Sequence, residues 1–196
     1  MLLQPINFIF TAIAFLAISL AVVINFVESN SDNAKRQKRS FVETGTMTLF
    51  FFFFYLSIRF GIGKIYFSES KLLWIISSIC WAVILLGIYF NLYGRILLGK
   101  NWANQIKIYS KHTLITKGVY KIVRHPLYAS LIWIFYACSV LYLNWLAFLL
   151  NTLIFVPMMN YRAKQEEELL EKQFKDYKRY KNKVGRFFPK LKWLKK

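Results

Sequence analysis

Both histidines of this 196-residue chain fall in one polar run, residues 111–128, which reads Lys-His-Thr-Leu-Ile-Thr-Lys-Gly-Val-Tyr-Lys-Ile-Val-Arg-His-Pro-Leu-Tyr. The run lies between two apolar stretches. A polar segment against a membrane span that carries His, Arg and Tyr is a site candidate on those grounds alone. After a further apolar hairpin comes Arg162-Ala-Lys-Gln-Glu166-Glu167-Glu168. Four of the nine acidic residues crowd into Glu166, Glu167, Glu168 and Glu171, and such a cluster at the mouth of a hairpin could hold a cation. Each residue also has a plain structural reading. Arg124 serves as a juxtamembrane anchor, His125 as a cap, Pro126 as a first-turn residue, and Tyr120 and Tyr128 as interfacial belt residues. Spacing alone favours reading the glutamates as a solvated helix face with i to i+4 pairing to Lys172 and its neighbours.

The elements that position these residues are apolar. Hydrophobic residues make up 57% of the chain and aromatic ones 19%, with a mean hydropathy of +0.37. This marks an integral membrane protein rather than an ordinary soluble domain. Apolar windows run over Pro5–Val27, Thr44–Tyr66, Leu72–Tyr93, Leu127–Leu143 and Trp145–Tyr161. Each approaches the roughly 20 residues that cross a bilayer. The expected fold is all-α and polytopic, with about five spans, the last two joined at Asn144 as a tight hairpin. The first window reads as an anchor helix rather than a cleaved leader, having no basic flank before it and no cleavage site after it. Arg59 and Lys64 interrupt the second window, and either reach the interface or line a cavity.

The net charge of +18 has a topological explanation. Of 27 Lys and Arg, 24 fall in residues 28–43, 94–126 and the tail from Arg162. Alternating spans put all three segments on one side, which the positive-inside rule makes cytoplasmic. Anionic lipid headgroups are the partners this charge implies, and no nucleic-acid-binding motif accompanies it. Cys80 and Cys138 fall inside spans and read as packing residues. No metal site is expected from two histidines without ligand-spaced carboxylates. Dinucleotide, Walker and nucleophile-elbow motifs are missing. From about Ala163 to Lys183 the tail reads as an amphipathic helix on the membrane face, with Leu170, Phe174, Tyr177 and Val184 along its apolar stripe.

Together these residues resemble the integral-membrane methyltransferases related to isoprenylcysteine carboxyl methyltransferase and the phospholipid N-methyltransferases. The pattern is Gly118-x-Tyr120-x-x-x-Arg124-His125-Pro126-x-Tyr128, then a hairpin, then Arg162-x-x-x-Glu166-Glu167. It extends upstream to Leu98-Gly99-Lys100-Asn101-Trp102 and downstream to Gly185-Arg186-Phe187-Phe188-Pro189. The resemblance covers roughly residues 94–190, so residues 94–196 are expected to be the catalytic region, while residues 1–93, which match only as spans, are expected to be three anchor helices with a basic loop. It also implies S-adenosylmethionine as methyl donor, with contacts at Gln105, His112, Thr113, Leu114, Ile115, Tyr120, His125, Pro126, Leu127, Tyr128 and Glu166. Arg162 would be the catalytic, substrate-side residue. One departure is Phe174-Lys175-Asp176-Tyr177, one residue shorter than the family's Phe-Gly-x-x-Tyr and without its glycine.

The residue types suit such a donor. Glu166 would face an ammonium, Tyr120 and Tyr128 a sulfonium or polar donor atoms, and His125 a carboxylate or ribose oxygen. A carboxylate acceptor needs no general base, only a guanidinium such as Arg162 to aim it. This favours O-methylation of a prenylcysteine-like or other lipophilic acid entering from the bilayer. The alternatives are N-methylation of a phospholipid or small amine, a sterol-reductase-like oxidoreductase, and a non-catalytic lipid-binding protein.

Overall fold

The computed structural model describes residues 3–29, 41–66, 70–99 and 113–190. Its helices are α1 (Leu3–Ser29), α2 (Phe41–Phe60), α3 (Ser70–Leu98), α4 (Pro126–Leu141), α5 (Trp145–Leu150), α6 (Val156–Gln173) and α7 (Tyr177–Lys183). Among the described residues there is no strand beyond two isolated bridges, Lys64 with Asn144 and Val123 with Gly185. Among the described residues, three helical stretches are long and apolar enough to cross a membrane: Gln4–Ala21, Lys71–Leu98 and Trp145–Gln173. Gly45–Phe60 and Pro126–Leu141 are shorter apolar helices.

Hydrocarbon can hydrogen-bond no backbone group, so apolar helices satisfy their own amides and turn large side chains outward. Phe8, Leu16, Phe52, Ile79 and Leu153 are exposed in this way. The interior is aromatic where α2, α4 and the α5–α6 rod meet. Phe50 stacks on Phe155 at 4.7 Å between centroids and meets Phe135 edge-on at 5.1 Å. Such pairs contribute about 0.5–1.5 kcal/mol each beyond the area they bury. Between α3 and α4 the contact is partly polar: Asn91, fully buried, donates to Ser130 Oγ at 2.8 Å and accepts from Arg95 Nε at 2.9 Å.

Asn144 closes the α4–α5 hairpin. Its Oδ1 accepts from Ala147 N at 2.8 Å as an N-cap, while its amide donates to Ser57 O and Ile62 O of the α2 end. The α5–α6 rod is helical throughout, but residues Asn151–Phe155 form a π turn. Pro157 follows two residues after it. It has no N–H for the carbonyl four residues back, and a local π turn accommodates that loss without ending the rod.

Two expectations need correction. The second apolar window stops early as a helix, because Gly61-Ile62-Gly63 turns the chain after Phe60. The tail is not one amphipathic helix over 163–183. Residues 156–173 continue the hairpin rod, Phe174 leaves the helix with extended backbone, and the short α7 follows. Of the expected stripe, Tyr177 and Val184 are buried, and Leu170 and Phe174 are half-buried.

Candidate functional site

The segment before α4 is held by backbone bonds to the chain's far end. Gly118, at φ +58°, starts a 3-10 turn, Gly118–Lys121; a Cβ there would come within 2.5 Å of Leu97 Cδ1. The turn carries Tyr120 inward, with its hydroxyl 3.4 Å from Gly94 O and its carbonyl accepting from Tyr180 Oη at 2.5 Å. Arg124 N then donates to Gly185 O at 2.8 Å and His125 N to Arg186 O at 3.2 Å. Residues 118–125 and 184–187 are thereby fixed to each other across the end of the helices.

Glu167 is the centre of this arrangement. It is 1% exposed, and cations from three segments surround it. Arg124 donates to Oε1 through Nε at 3.2 Å and Nη2 at 2.9 Å. Arg186 donates to Oε1 at 2.9 Å and Oε2 at 2.8 Å. His125 Nε2 lies 3.2 Å from Oε1, and Lys181 Nζ 3.3 Å from Oε2. Arg124 also donates through Nη1 to the carbonyls of Lys181 and Val184, and Arg186 to Asn160 Oδ1. A buried carboxylate with this set is a structural clamp, since its lone pairs are committed to protein donors.

Glu166, one residue earlier, is different. Its carboxylate is 27% exposed, accepts from Tyr128 Oη, and lies 3.3 Å from His125 Nδ1. The His125 ring stacks on Tyr128 at 5.7 Å and 9°, and meets Phe187 edge-on at 6.2 Å. Because both ring nitrogens face carboxylate oxygens, only the imidazolium can donate to both. Burial disfavours that cation, but Glu166 and Glu167 outweigh it and raise the His125 pKa above the ordinary histidine value. Arg162, one helical turn before Glu166, places its guanidinium carbon 5.9 Å from the Tyr128 ring centre. Tyr128 therefore touches both the proposed cation-binding carboxylate and the proposed anion-binding guanidinium.

The structure brings together Tyr120, His125, Pro126, Leu127, Tyr128, Arg162 and Glu166. Pro126 is buried at the first turn of α4, and the Leu127 carbonyl accepts from Ser130 Oγ at 2.8 Å. Thr113, Leu114 and Ile115 lead into the 3-10 turn outside any helix. Gln105 and His112 lie outside the described residues. Several plain readings fail here: Arg124 is a buried ion-pair partner rather than an exposed anchor, Tyr120 is buried rather than interfacial, and His125 occupies the cap position without capping through its side chain. The glutamates do not act as one face. Glu168 is exposed, and Glu171 pairs with Lys181 at 2.6 Å.

Sequence reasoning missed Glu167 as the clamp, together with Lys181 and the Asn91–Arg95–Ser130 cluster. Arg186 stood in the closing motif without a role. The available signal was the adjacency of two glutamates on a helix. Neighbours on a helix point about 100° apart, so one can face the interior while the other faces the mouth.

A methyl donor with an ammonium, a sulfonium and a carboxylate fits these residues. Of the two glutamates that meet His125, Glu166 is the one with exposed surface, and Tyr128 and Tyr120 supply aromatic faces and hydroxyls beside it. Residues 78–172 match the sequence model of the isoprenylcysteine carboxyl methyltransferase (ICMT) family. That match spans a little under half of the chain. A probable protein-S-isoprenylcysteine O-methyltransferase of Oryza sativa subsp. indica is 30% identical over 127 residues, covering 63% of this chain and 66% of that protein. Protein-S-isoprenylcysteine O-methyltransferase B of Arabidopsis thaliana is 38% identical over 72 residues, 35% of this chain and 36% of its own length. The eukaryotic intramembrane Ras methyltransferase ICMT shares the fold at a TM-score of 0.55 and 24% identity, over 78% of this chain and 54% of that one. The ICMT region contains Tyr120, Arg124, His125, Tyr128, Arg162, Glu166 and Glu167, while Lys181 and Arg186 follow it.

Proposed function

We propose that this chain is a membrane methyltransferase that moves a methyl group from S-adenosylmethionine to the carboxylate of a lipophilic acceptor of the S-isoprenylcysteine class. The observation that carries this reading is the Glu166–Tyr128–Arg162 group: opposite charges one helical turn apart, sharing one tyrosine, inside the ICMT region.

Glu166 would hold the donor's ammonium, and Tyr120, Tyr128 and the 113–115 segment the rest of it. Bound there, the donor supplies an electrophilic methyl on sulfur. Arg162 aims the acceptor carboxylate with two parallel N–H groups. The acceptor is already ionised near neutral pH, so no protein group has to remove a proton. Glu167, tied to Arg124, His125 and Arg186, keeps the loop before α4 and the chain's end in one arrangement, and fixed alignment of reacting groups is a large part of such catalysis.

In this reading α2 and α4 also cross the bilayer, giving five spans. Residues 1–93 anchor the catalytic part, 94–196, and the site faces the cytoplasm, where 24 of 27 basic residues lie near anionic headgroups. A lipophilic acceptor then enters sideways from the membrane. The test is incubation of purified protein and methyl-labelled donor with farnesylated and geranylgeranylated cysteine derivatives, fatty acids and phosphatidylethanolamine. Base-labile label on the prenylcysteines supports the proposal; base-stable label on the amine lipid alone overturns the carboxylate acceptor.

A further inference from the structure

At the other end of α4 the structure holds a second group of charges unrelated to the site. Over 16 residues α4 rises about 24 Å at 1.5 Å each, so this group sits on the opposite side of the bundle. A cavity of about 260 Å³ opens there between the end of α2 and the α4–α5 hairpin, lined by Arg59, Lys64, Tyr66, Tyr142 and Asn144. At about 30 Å³ per water it has room for several waters or one compact headgroup.

The cavity is built from a fixed turn. Gly61 and Gly63 have φ of +65° and +82°, values that L side chains rarely adopt. A Cβ on Gly63 would lie 2.6 Å from Leu146 Cβ. Ile65 N donates to Leu143 O at 2.7 Å and Trp145 N to Gly63 O at 3.0 Å, tying the turn to the hairpin. Asn144 is 3% exposed and clamps both sides, and Tyr142 is held by Thr11 Oγ1 at 2.8 Å. Two cations project from this frame. Lys64 Nζ stands 5.6 Å from the Tyr66 ring centre and the Arg59 guanidinium 5.8 Å from that of Phe60. Among the described residues neither forms an ion pair with a carboxylate.

We propose that this cradle binds the phosphate of an anionic phospholipid headgroup in the leaflet opposite the methyl-transfer site. Two cations flanking one fixed turn, Arg59 in the last turn of α2 and Lys64 just after Gly63, at the level where Tyr66, Phe60 and Trp145 are exposed, match a phosphodiester at a membrane interface. Freely reaching side chains would need neither the paired left-handed glycines nor the backbone bonds to the hairpin.

The experiment measures acylation of Lys64 by an amine-reactive reagent, resolved by peptide mass spectrometry, on whole protein in neutral detergent. Phosphatidylglycerol, phosphatidylcholine or inorganic phosphate is titrated in. Phosphatidylglycerol should protect Lys64 at concentrations that leave Lys121, at the other end, reactive. Arg59→Gln should raise the protecting concentration about tenfold or more, the usual loss for one charge-assisted hydrogen bond. Gly63→Ala, which keeps both cations but deforms the turn, should do the same. Lys64 protected no better than Lys121, or protection unchanged in both variants, would overturn the proposal. Equal protection by phosphatidylcholine would remove the anionic requirement, and protection by inorganic phosphate alone would remove the lipid. Should Gly63→Ala fail to fold, Arg59→Gln decides, since it leaves the turn intact.

Discussion

Arg124 Nη2 lies 2.9 Å from Glu167 Oε1, with 6% and 1% of the two side chains exposed, and this pair joins the start of α4 to the body of α6. Both ends of the clamp are buried, so removing the Glu167 charge leaves Arg124 buried without its carboxylate partner. Glu167→Gln should destabilise the protein by about 3–5 kcal/mol, the usual loss on breaking a buried pair. Glu168→Gln, on the exposed side, should stay within about 0.5 kcal/mol of wild type. Thermal unfolding of both variants in the same detergent checks this.

The neighbouring carboxylate should behave in the reverse way. Glu166→Gln leaves the clamp intact and should unfold near the wild-type temperature, yet weaken S-adenosylmethionine binding. Loss of a charge-assisted hydrogen bond of roughly 1.5–3 kcal/mol corresponds to a factor from about ten to more than a hundred. Calorimetric titration of the two glutamate variants with the donor separates the ligand-facing residue from the structural one.

Histidine 125 gives a pH dependence with a definite sign. Its folded pKa lies above the ordinary value of about 6.5, so the bound proton favours the folded state. That contribution is fully present below the unfolded pKa and is lost as pH rises through the folded one. Melting temperature should therefore fall on the alkaline side of neutrality in wild type, and the same segment of the profile should be flatter in His125→Gln. A wild-type profile matching that of His125→Gln from about pH 6 to 9 would contradict the paired imidazolium.

The helical class, the apolar windows and the two motif clusters were legible in the sequence because hydropathy and spacing are local properties. Glu167 was not. Its role depends on Arg124, Lys181 and Arg186, which reach it only after the chain closes through the Val123–Gly185 bridge, a contact between residues far apart in sequence. The tail was misread for a related reason. The residues after Tyr161 have the charge pattern of a surface helix, but the α5–α6 rod continues through them and its inner face is covered by the loop before α4. The π turn at Asn151–Phe155 was partly readable from Pro157, since a proline inside an apolar window has to be absorbed somewhere.

Sidedness can be read with single cysteines. Both native cysteines are buried, and with them replaced, Ile62→Cys at the end of α2 and Lys190→Cys near the chain's end report opposite sides. A membrane-impermeant thiol reagent should label position 62 in intact cells and position 190 only after permeabilisation. The reverse pattern would invert the topology.

In the proposed reaction Arg162 and Glu166, joined through Tyr128, divide acceptor and donor between them. The most direct measurement of that division is donor binding and methyl-ester formation on a prenylcysteine, both made on the same preparations of wild type, Arg162→Lys and Arg162→Ala. The expected result is near-normal donor affinity in all three. Turnover efficiency should fall in the lysine variant, which loses the planar two-pronged contact. In the alanine variant it should fall by about thirty- to several-thousandfold, the equivalent of roughly 2–5 kcal/mol. Near-normal ester formation by Arg162→Ala would contradict the account.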